Sequence, residues 1–289
     1  MTSRILQAQQ NIFQHHLPAD VLARVETPVR HFGINSIKVP GTDNRLPPLV
    51  VAHGFGSGLG FFFACLPELA KSGRTIYLVD WLGFGASERP TMTKCWTTST
   101  INADFFTEPL FQWMESEKIE TCTLVGHSLG GLLACRFAER HPAKLDKLVL
   151  ASPAGMSQRP VLAPAQHQTY GNKFLDFMWS RGAITPQRIV RTLGRTRGRA
   201  LVHRAVQGRF GPSVSWHSGL VADYLFEISS AKRSGGEIAL GALISPPFQN
   251  RAIMAKEAIP PVLPVPVHTI FGDHDWLNTP NALEPQGVC

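Results

Sequence analysis

Short apolar runs alternate along this chain with segments that can form helices, and this alternation limits the fold more than any other feature. Four of the runs end at or beside Gly, Asp or Ser: residues 49–53, 75–80, 121–126 and 147–152. Fully apolar runs of this length are typical of strands that are buried on both faces of a parallel sheet. A fifth run, residues 267–271, follows much later. Strands alternating with helices predict an α/β protein with a mostly parallel, doubly wound sheet.

The segments between the runs complete this prediction. We expect helices over residues 61–72, 99–118 and 129–140, and short antiparallel edge strands within residues 32–39. The stretch from about 156 to 266 is too long for a connection in a compact domain. We predict that it is a helical cap over the carboxyl edge of the sheet, where open α/β sheets bind ligands. Its expected helices include residues 174–180, 187–193 and 200–207. The predicted organisation is an N-terminal helical segment (1–29), a sheet-bearing core (30–155 and 267–289) and the cap (156–266).

The composition is that of a globular protein. Apolar residues make up 44% and charged residues 17% of the 289 positions, which argues against a disordered chain. No apolar run approaches the roughly 18 residues that a membrane-spanning helix needs, and the first residues lack the pattern of a secretory signal. Five scattered cysteines favour a reducing compartment over a disulfide framework. The net charge of +7 favours anionic partners.

One turn of the chain has the pattern of a catalytic serine. Residues 126–130, Gly-His-Ser-Leu-Gly, fit the pattern G-x-S-x-G and join the third apolar run to a helix-forming segment. In that setting the glycines allow a tight turn, which holds the serine in a strained conformation with its Oγ above the sheet. We therefore predict that Ser128 is a nucleophile. The alternative is an ordinary serine in a glycine-rich turn.

Two further glycine-rich loops follow apolar runs. Attack by a serine on an acyl carbon creates an oxyanion, which needs N–H donors that are fixed in advance. We expect the backbone N–H groups of Phe55, in the loop 53–56, and of Leu129 to be that pair. The other loop, residues 80–87, is expected to shape the site. It lacks the helix-opening G-x-G-x-x-G of dinucleotide-binding proteins, and we expect neither a cofactor nor a metal.

The acid and the base should follow the serine in the order acid, then histidine. The fifth apolar run is followed by Asp273 and Asp275, of which Asp275 is the preferred acid and Asp273 the reserve. No residue from 276 to 289 is a histidine. We therefore expect the sequence as printed to lack the last strand, its preceding helix and the loop that would carry the base. Six histidines elsewhere in the chain are the alternative candidates for the general base: His53, His127, His167, His203, His217 and His274.

Residues 181–209 contain eight arginines and no acidic residue. The planar guanidinium suits phosphate groups, and a basic amphipathic stretch can lie on an anionic bilayer. A solvated basic face is the alternative, and nucleic acid is disfavoured because no motif that reads it accompanies the charge. The predicted contacts to a lipid headgroup or a membrane are Arg188, Arg191, Arg195, Arg197 and Arg199.

Four motifs in order, HGFGSG, DWLGFGASERP, LVGHSLGG and FGDHDWLN, give the chain a family resemblance that runs from about residue 30 to residue 278. The chain resembles the α/β-hydrolase branch that contains lysophosphatidic-acid acyltransferases, N-acyl-phospholipid lipases, cardiolipin deacylases and a lipid-droplet co-activator of triacylglycerol lipase. The resemblance implies an α/β-hydrolase fold with a helical cap, Ser128 as nucleophile and Asp275 as acid. Co-activator members carry Asn in place of Ser128, so at that position the chain resembles the hydrolytic members. The branch places its catalytic histidine in a His-x-x-x-x-Asp pattern near the C-terminus, and none of the matches to that pattern in this chain is in the corresponding position.

These observations predict a serine hydrolase or acyltransferase that acts on phospholipid or lysophospholipid esters through an acyl-enzyme. The alternative is a non-catalytic lipid-binding protein or lipase co-activator, which the absence of a histidine after Asp275 favours. A third interpretation is that the printed sequence stops short of the rest of an active enzyme. The expected partners are a lipid ester and the surface of a membrane or lipid droplet, without nucleic acid. The expected location is the cytoplasm, with peripheral membrane or droplet contact, and a mitochondrial address stays open.

Overall fold

The computed structural model describes residues 2–91, 103–155, 185–210, 217–244, 259–260 and 262–272. Its strands are β1 (Val29–His31), β2 (Ile34–Val39), β3 (Leu49–Ala52), β4 (Ile76–Asp80), β5 (Cys122–His127), β6 (Leu145–Ala151) and β7 (Val267–Ile270). Its α-helices are α1 (Thr2–His16), α2 (Ala19–Leu22), α3 (Leu66–Ala70), α4 (Asp104–Ser116), α5 (Leu129–Arg140), α6 (Pro186–Phe210), α7 (Ser218–Ser230) and α8 (Gly235–Leu243). Two short 3₁₀ helices span Leu59–Ala64 and Pro142–Lys144.

The described strands form one sheet in the order β1-β2-β4-β3-β5-β6-β7. The pairs from β4 through β3, β5 and β6 to β7 are parallel, whereas β1 and β2 are antiparallel to each other and β2 is antiparallel to β4. The predicted mostly parallel α/β sheet is therefore confirmed. The predicted edge strands begin earlier than expected, because Phe32 and Gly33 form the turn between β1 and β2, where both have a positive φ.

The central strands of the sheet are buried on both faces, as their continuous apolar runs require, whereas β1 and β7 are largely exposed. In β3, Val50 and Ala52 point to the face that is covered by α4, α5 and α8, whereas Leu49 and Val51 point to the face covered by α1, the first 3₁₀ helix, α6 and α7. Successive side chains of a strand alternate between the two faces. A run of four apolar residues thus contributes to two cores, one on each side of the sheet.

The predicted helices differ in how well they match the structure. Residues 129–140 form a helix as expected. The predicted helix over residues 61–72 is instead a 3₁₀ helix followed by α3, because Pro67 has no N–H and disfavours an uninterrupted helix around it. Helix α4 begins at Asp104, and residues 92–102 lie outside the described part.

Three helices, α6, α7 and α8, belong to the predicted cap. Residues 187–193 and 200–207, expected as separate helices, lie in α6 on either side of Gly194, whose non-helical φ and ψ divide α6 into two helical parts. Residues 174–180 are not described. Helix α6 packs along α7, and α1 packs against α7 as well. No helix in the described part of the chain combines the length and the apolar character that crossing a bilayer requires.

The chain order within the sheet reverses at β3. From β3 the chain passes to β4 on one side, and it later returns to β5 on the other side. Open α/β sheets bind ligands in the crevice at such a point, beyond the carboxyl ends of the strands. Because Ala52 of β3 pairs with Gly126 of β5, the loop that begins at His53 leaves the sheet beside the turn that contains Ser128.

Candidate active site

Ser128 occupies a strained turn between β5 and α5. Its φ of 53° and ψ of −117° lie outside the regions that residues with a Cβ normally occupy. Four backbone hydrogen bonds hold it there. Its N–H donates to Ala151 O at 2.9 Å, and its carbonyl oxygen accepts from the N–H groups of Gly131 at 2.9 Å, Ala154 at 3.0 Å and Leu132 at 3.3 Å. Strained residues persist where their surroundings leave them no relaxed conformation. The predicted strain at Ser128 is therefore present in the structure.

The glycines around Ser128 allow backbone segments to touch. A Cβ on Gly130 would lie 2.5 Å from His53 O, and a Cβ on Gly126 would lie 2.5 Å from Gly130 O. A Cβ on Gly54 would lie 3.0 Å from the Cβ of Ser128. The loop after β3 is thus packed directly on the serine turn, as the carboxyl-edge prediction requires.

The two predicted oxyanion residues flank this contact. Leu129 is buried and is the first residue of α5, a position where the N–H has no acceptor within the helix and where the helix dipole favours negative charge. Phe55 follows Gly54, which touches Ser128. The structure therefore brings Phe55, Leu129 and Ser128 into one region. Their roles in catalysis stay predictions.

Asp80 connects the two loops beside the serine, and the sequence interpretation assigned it no role. Its carboxylate is fully buried and accepts hydrogen bonds from Leu59 N–H at 2.7 Å, Ala86 N–H at 2.9 Å and Asn35 Nδ2 at 2.8 Å. Gly85 has a φ of +51°, and a Cβ there would lie 2.1 Å from Asp80 Cγ. Asp80 thereby ties the loop after β3 to the loop 80–87. The signal in the sequence that could have indicated this role is an aspartate at the end of an apolar run, followed by a glycine-rich loop.

His53 is a structural group rather than a free base. It is 2% exposed, its Nδ1 lies 2.8 Å from Gly54 O, and its Nε2 accepts from Trp81 N–H at 3.3 Å. Because a carbonyl oxygen only accepts, Nδ1 carries the proton. Burial lowers the pKa of His53, and the nearby Asp80 carboxylate opposes that shift only in part. A neutral His53 makes no ion pair with Asp80, although Nε2 lies 3.7 Å from Oδ1.

The remaining candidates for the general base and the acid lie in different parts of the chain. His127 is exposed at the end of β5, and His203 Nε2 lies 2.6 Å from Asp223 Oδ1 in the cap. His217 contacts the ring of His15 edge to face, with ring centroids 5.3 Å apart. Four further candidates lie outside the described residues: His167, Asp273, His274 and Asp275. Within the described ranges, no group of three or more His, Cys, Asp or Glu side chains is arranged to hold a metal ion.

The five predicted headgroup arginines divide into two sets. Arg191 forms two hydrogen bonds with the buried Glu237, at 2.8 and 2.7 Å. Two others are also paired, Arg195 with Glu227 and Arg199 with Asp223. The remaining two, Arg188 and Arg197, are exposed. The acidic partners come from α7 and α8, so their proximity could not be read from the arginine-rich segment alone.

The cap is attached to the sheet through Arg89, whose side chain is partly buried at the end of the loop 80–90. Its guanidinium donates to Gly85 O at 3.0 Å, to Lys232 O at 3.1 Å and to Ile228 O at 3.4 Å. Burial lowers the pKa of Arg89 to about 10, while the carboxylates of Glu237 and Asp80 oppose the shift. At neutral pH Arg89 is therefore still charged, and it binds carbonyl oxygens around the C-terminal end of α7.

Comparison with known proteins defines the class. Residues 47–285 match the model of the family described as alpha/beta hydrolase fold. The chain belongs to this α/β-hydrolase fold family, as its sheet, its serine turn and its four motifs indicate. A membrane phospholipase A, described as a bacterial virulence factor, has the same fold, with a TM-score of 0.59 and 20% identity over 96% of this chain and 77% of its own. A hydrolase from Bacillus subtilis shares the fold with a TM-score of 0.60 and 15% identity, over 97% of this chain and 84% of its own.

The relatives by sequence are named for lipid chemistry, which confirms the predicted resemblance. A probable 1-acylglycerol-3-phosphate O-acyltransferase of Oryza sativa subsp. japonica is 33% identical over 267 residues, covering 87% of this chain and 61% of the relative. A (lyso)-N-acylphosphatidylethanolamine lipase of Mus musculus is 28% identical over 290 residues, covering 96% and 77%. The chain thus spans about 60% of the length of the rice protein and 57% of that of a 1-acylglycerol-3-phosphate O-acyltransferase of Arabidopsis thaliana.

Proposed function

We propose that this protein is a serine hydrolase or acyltransferase that acts on the esters of phospholipids or lysophospholipids. The observation that carries the proposal is the strained turn at Ser128, packed against the loop that contains Phe55. A serine held in this conformation at the start of a helix is arranged for nucleophilic attack. An ordinary loop serine would need none of these constraints.

In the proposed reaction, Ser128 Oγ attacks the ester carbonyl carbon while a general base takes the hydroxyl proton. The N–H groups of Phe55 and Leu129 stabilise the oxyanion that forms, and one such donor accelerates a reaction about 10²–10³-fold. The carbon–oxygen bond of the ester then breaks, and the base returns the proton to the departing alcohol. Water or the hydroxyl of a second lipid releases the acyl group from Ser128.

The general base of this mechanism is a residue from outside the turn that contains Ser128. His53 does not serve, because both of its ring nitrogens are engaged in hydrogen bonds. We propose that Asp275 orients the base, as in other enzymes in which the acid follows the serine along the chain.

The lipid assignment rests on the names of the relatives and on the surface of α6. Ile189, Leu193 and Leu201 are large apolar side chains that are exposed on this helix, beside the exposed Arg188 and Arg197. Apolar side chains with arginines at their margin suit the boundary between lipid and water. We propose peripheral contact of this surface with a membrane or a lipid droplet, from the cytoplasmic side, and contacts of Arg188 and Arg197 with phosphate.

Hydrolysis of lysophosphatidylcholine by the purified native protein and by Ser128→Ala tests the proposal. The substitution should reduce turnover to background, a loss on the order of 10⁶-fold, because the attacking oxygen is gone. Ser116→Ala is the matched control, since Ser116 is the last residue of α4 and its hydroxyl donates to Trp113 O of the same helix. Adding a second lysophospholipid as acceptor separates acyl transfer from hydrolysis.

The alternative, a non-catalytic lipid-binding or co-activator protein, predicts a different result. In that case the native protein and Ser128→Ala would bind the lipid with equal affinity, and neither would release a fatty acid. Equal turnover in the native protein and Ser128→Ala would contradict the proposed nucleophile.

A further inference from the structure

A cavity of about 450 Å³ lies between α6 and α7, beside the proposed oxyanion loop. Phe55 and Gly56 of that loop form one part of its wall. Apolar side chains of the two helices form most of the rest, including Val190, Leu201, Val206 and Leu225. This volume is within the range of about 300–1,000 Å³ that is typical of sites for small ligands. An apolar cavity that begins at an oxyanion loop suits the hydrocarbon chain of an ester substrate.

Gln187 contributes a polar group to this apolar wall. It lies in the first turn of α6 and is 7% exposed. Its Oε1 is buried and makes no hydrogen bond to any residue that the structure describes. Buried polar atoms are nearly always paired with protein, water or ligand. The position of Gln187 therefore needs a hydrogen-bond donor that the described chain does not supply.

The surroundings of Gln187 limit what that donor can be. The residue borders the 450 Å³ cavity and, on its other side, a space of about 10 Å³ near Arg89 and Glu237. The smaller space is at the lower limit for one water molecule, about 10–15 Å³. The larger cavity is shared with Phe55, so a donor that reached Gln187 from it would belong to the part of the substrate near the reacting carbonyl.

We propose that Gln187 is a specificity-determining residue. Its Oε1 has almost no accessible surface in this structure, and on substrate binding the side chain turns this atom toward the cavity, where it accepts a hydrogen bond from a hydroxyl or amide N–H next to the acyl group of the substrate. The acyl chain itself occupies the cavity between α6 and α7. This inference rests on the proposed function for the placement of the ester at Ser128. A lipid without the donor would leave Oε1 buried and unpaired, and sites of this kind reject such analogues more strongly than those that differ by a methylene.

Ligand binding to the Ser128→Ala variant tests this without any turnover. We would titrate it with palmitoyl lysophosphatidylcholine and with the analogue whose glycerol hydroxyl is replaced by hydrogen, both below their micelle concentrations. The hydroxyl form should bind about ten-fold more tightly, the effect of one hydrogen bond to a buried acceptor. Adding Gln187→Met, which is similar in size and has no acceptor oxygen, should remove that preference. A second pair, an N-acylethanolamine and its N-methyl derivative, tests whether an amide N–H is the donor instead.

Two results would contradict the proposed role of Gln187: the same preference in both protein variants, or no preference for either donor in Ser128→Ala. Either result would leave a buried water as the partner of Oε1. If Gln187→Met does not fold, the absence of any preference in Ser128→Ala would still contradict the proposal. Failure of the proposed function is seen separately, as absence of turnover in the native protein, because these titrations require no catalysis.

The cavity is tested by acyl-chain length. Affinity for Ser128→Ala should rise roughly four-fold for each methylene that enters the cavity. Leu201→Trp narrows the cavity and should end this rise at a shorter chain, whereas Arg204→Trp, an exposed position on the same helix, should not. An unchanged dependence on chain length in Leu201→Trp would exclude the cavity as the acyl site.

Discussion

At Ser128, a few hydrogen bonds hold a backbone conformation that costs on the order of 1–3 kcal/mol. The neighbouring groups are equally constrained. The buried carboxylate of Asp80 fixes the loop after β3 through Leu59 N–H, and His53 joins the same loop to Trp81. The proposed oxyanion donor Phe55 therefore belongs to a loop that is fixed on both sides, which is the rigidity that electrostatic stabilisation of a transition state requires.

The sequence predicts Ser128, Phe55 and Leu129 as neighbours because strand exits and glycine spacing are local signals. It does not predict the tasks of His53 and Asp80. Their hydrogen bonds join β3 to residues beyond β4, and such pairings depend on the register of the sheet. For the same reason His53 is a candidate base when only the sequence is considered. In the structure it is neutral, and both of its ring nitrogens are hydrogen-bonded.

The neutral state of His53 predicts a loss of stability in acid. The unfolded chain takes up a proton near the ordinary pKa of 6.5, while burial lowers the pKa in the folded state. The unfolded state then binds more protons, so the stability that His53 contributes is complete above about pH 6.5. It falls by up to about 1.4 kcal/mol per pH unit below that. Urea unfolding from pH 8 to pH 5 should show a shallower decline for His53→Gln than for the wild type.

His268→Gln is the control for that measurement, since His268 is exposed on the edge strand β7. It should keep the pH dependence of the wild type. An equal slope for the wild type and His53→Gln would mean that the pKa of His53 is the same in the folded and unfolded states, which would contradict the lowering of its pKa by burial.

Helix α6 shows that a helix break at a glycine can be predicted from the sequence. The sequence predicts two helices separated near residue 194, and α6 consists of two helical parts that meet at Gly194, where φ is 69° and ψ is −175°. The apolar positions on both sides of the kink indicate helix correctly, because helical periodicity is local. The angle at which the two parts meet is not predictable in this way, because it depends on the surface against which they pack, here α7.

Two glycines of α6 give a matched test of the kink. Neither has an atom within 4 Å of an added Cβ, and only Gly194 has a positive φ. Gly194→Ala should lower the free energy of unfolding by about 1–3 kcal/mol, because its φ and ψ are nearly exclusive to glycine. Gly208→Ala should raise it by up to about 1 kcal/mol through helix propensity. A stabilising Gly194→Ala in urea unfolding would show that α6 is not kinked in solution.

Over the whole molecule, the sheet is the part that the sequence predicts best. Each of the five predicted runs overlaps a strand to within about two residues. For the central strands the reason is that a strand buried on both faces must be apolar throughout, whereas β7 is apolar in part and largely exposed. The cap is predicted less well. Its arginine-rich segment suggests a basic surface, but Arg191, Arg195 and Arg199 are paired with carboxylates from other helices. Arg195 and Arg199 are exposed as well as paired, and of the five predicted contacts Arg188 and Arg197 are the two for which the described residues provide no carboxylate partner.

The pair between Arg191 and Glu237 should be important for holding the cap together. Glu237 is 2% exposed, so Arg191→Met would leave a buried carboxylate without its partner, at a cost of about 3–5 kcal/mol. Arg188→Met, one turn away and exposed, should change stability by no more than about 0.5 kcal/mol. Thermal or urea unfolding measures both. Adding Glu237→Gln to Arg191→Met should restore part of the loss, and equal stability of the two single variants would contradict a buried ion pair.

The central claim is that Ser128 is an activated nucleophile, and covalent labelling tests it most directly. A fluorophosphonate probe reacts with a serine that has both a base and an oxyanion site, so the native protein should be labelled and peptide mass spectrometry should locate the adduct on Ser128. Ser128→Ala and heat-denatured protein should give only background, while Ser116→Ala should be labelled like the wild type. Absence of labelling in the native protein, or labelling that persists in Ser128→Ala, would contradict the account.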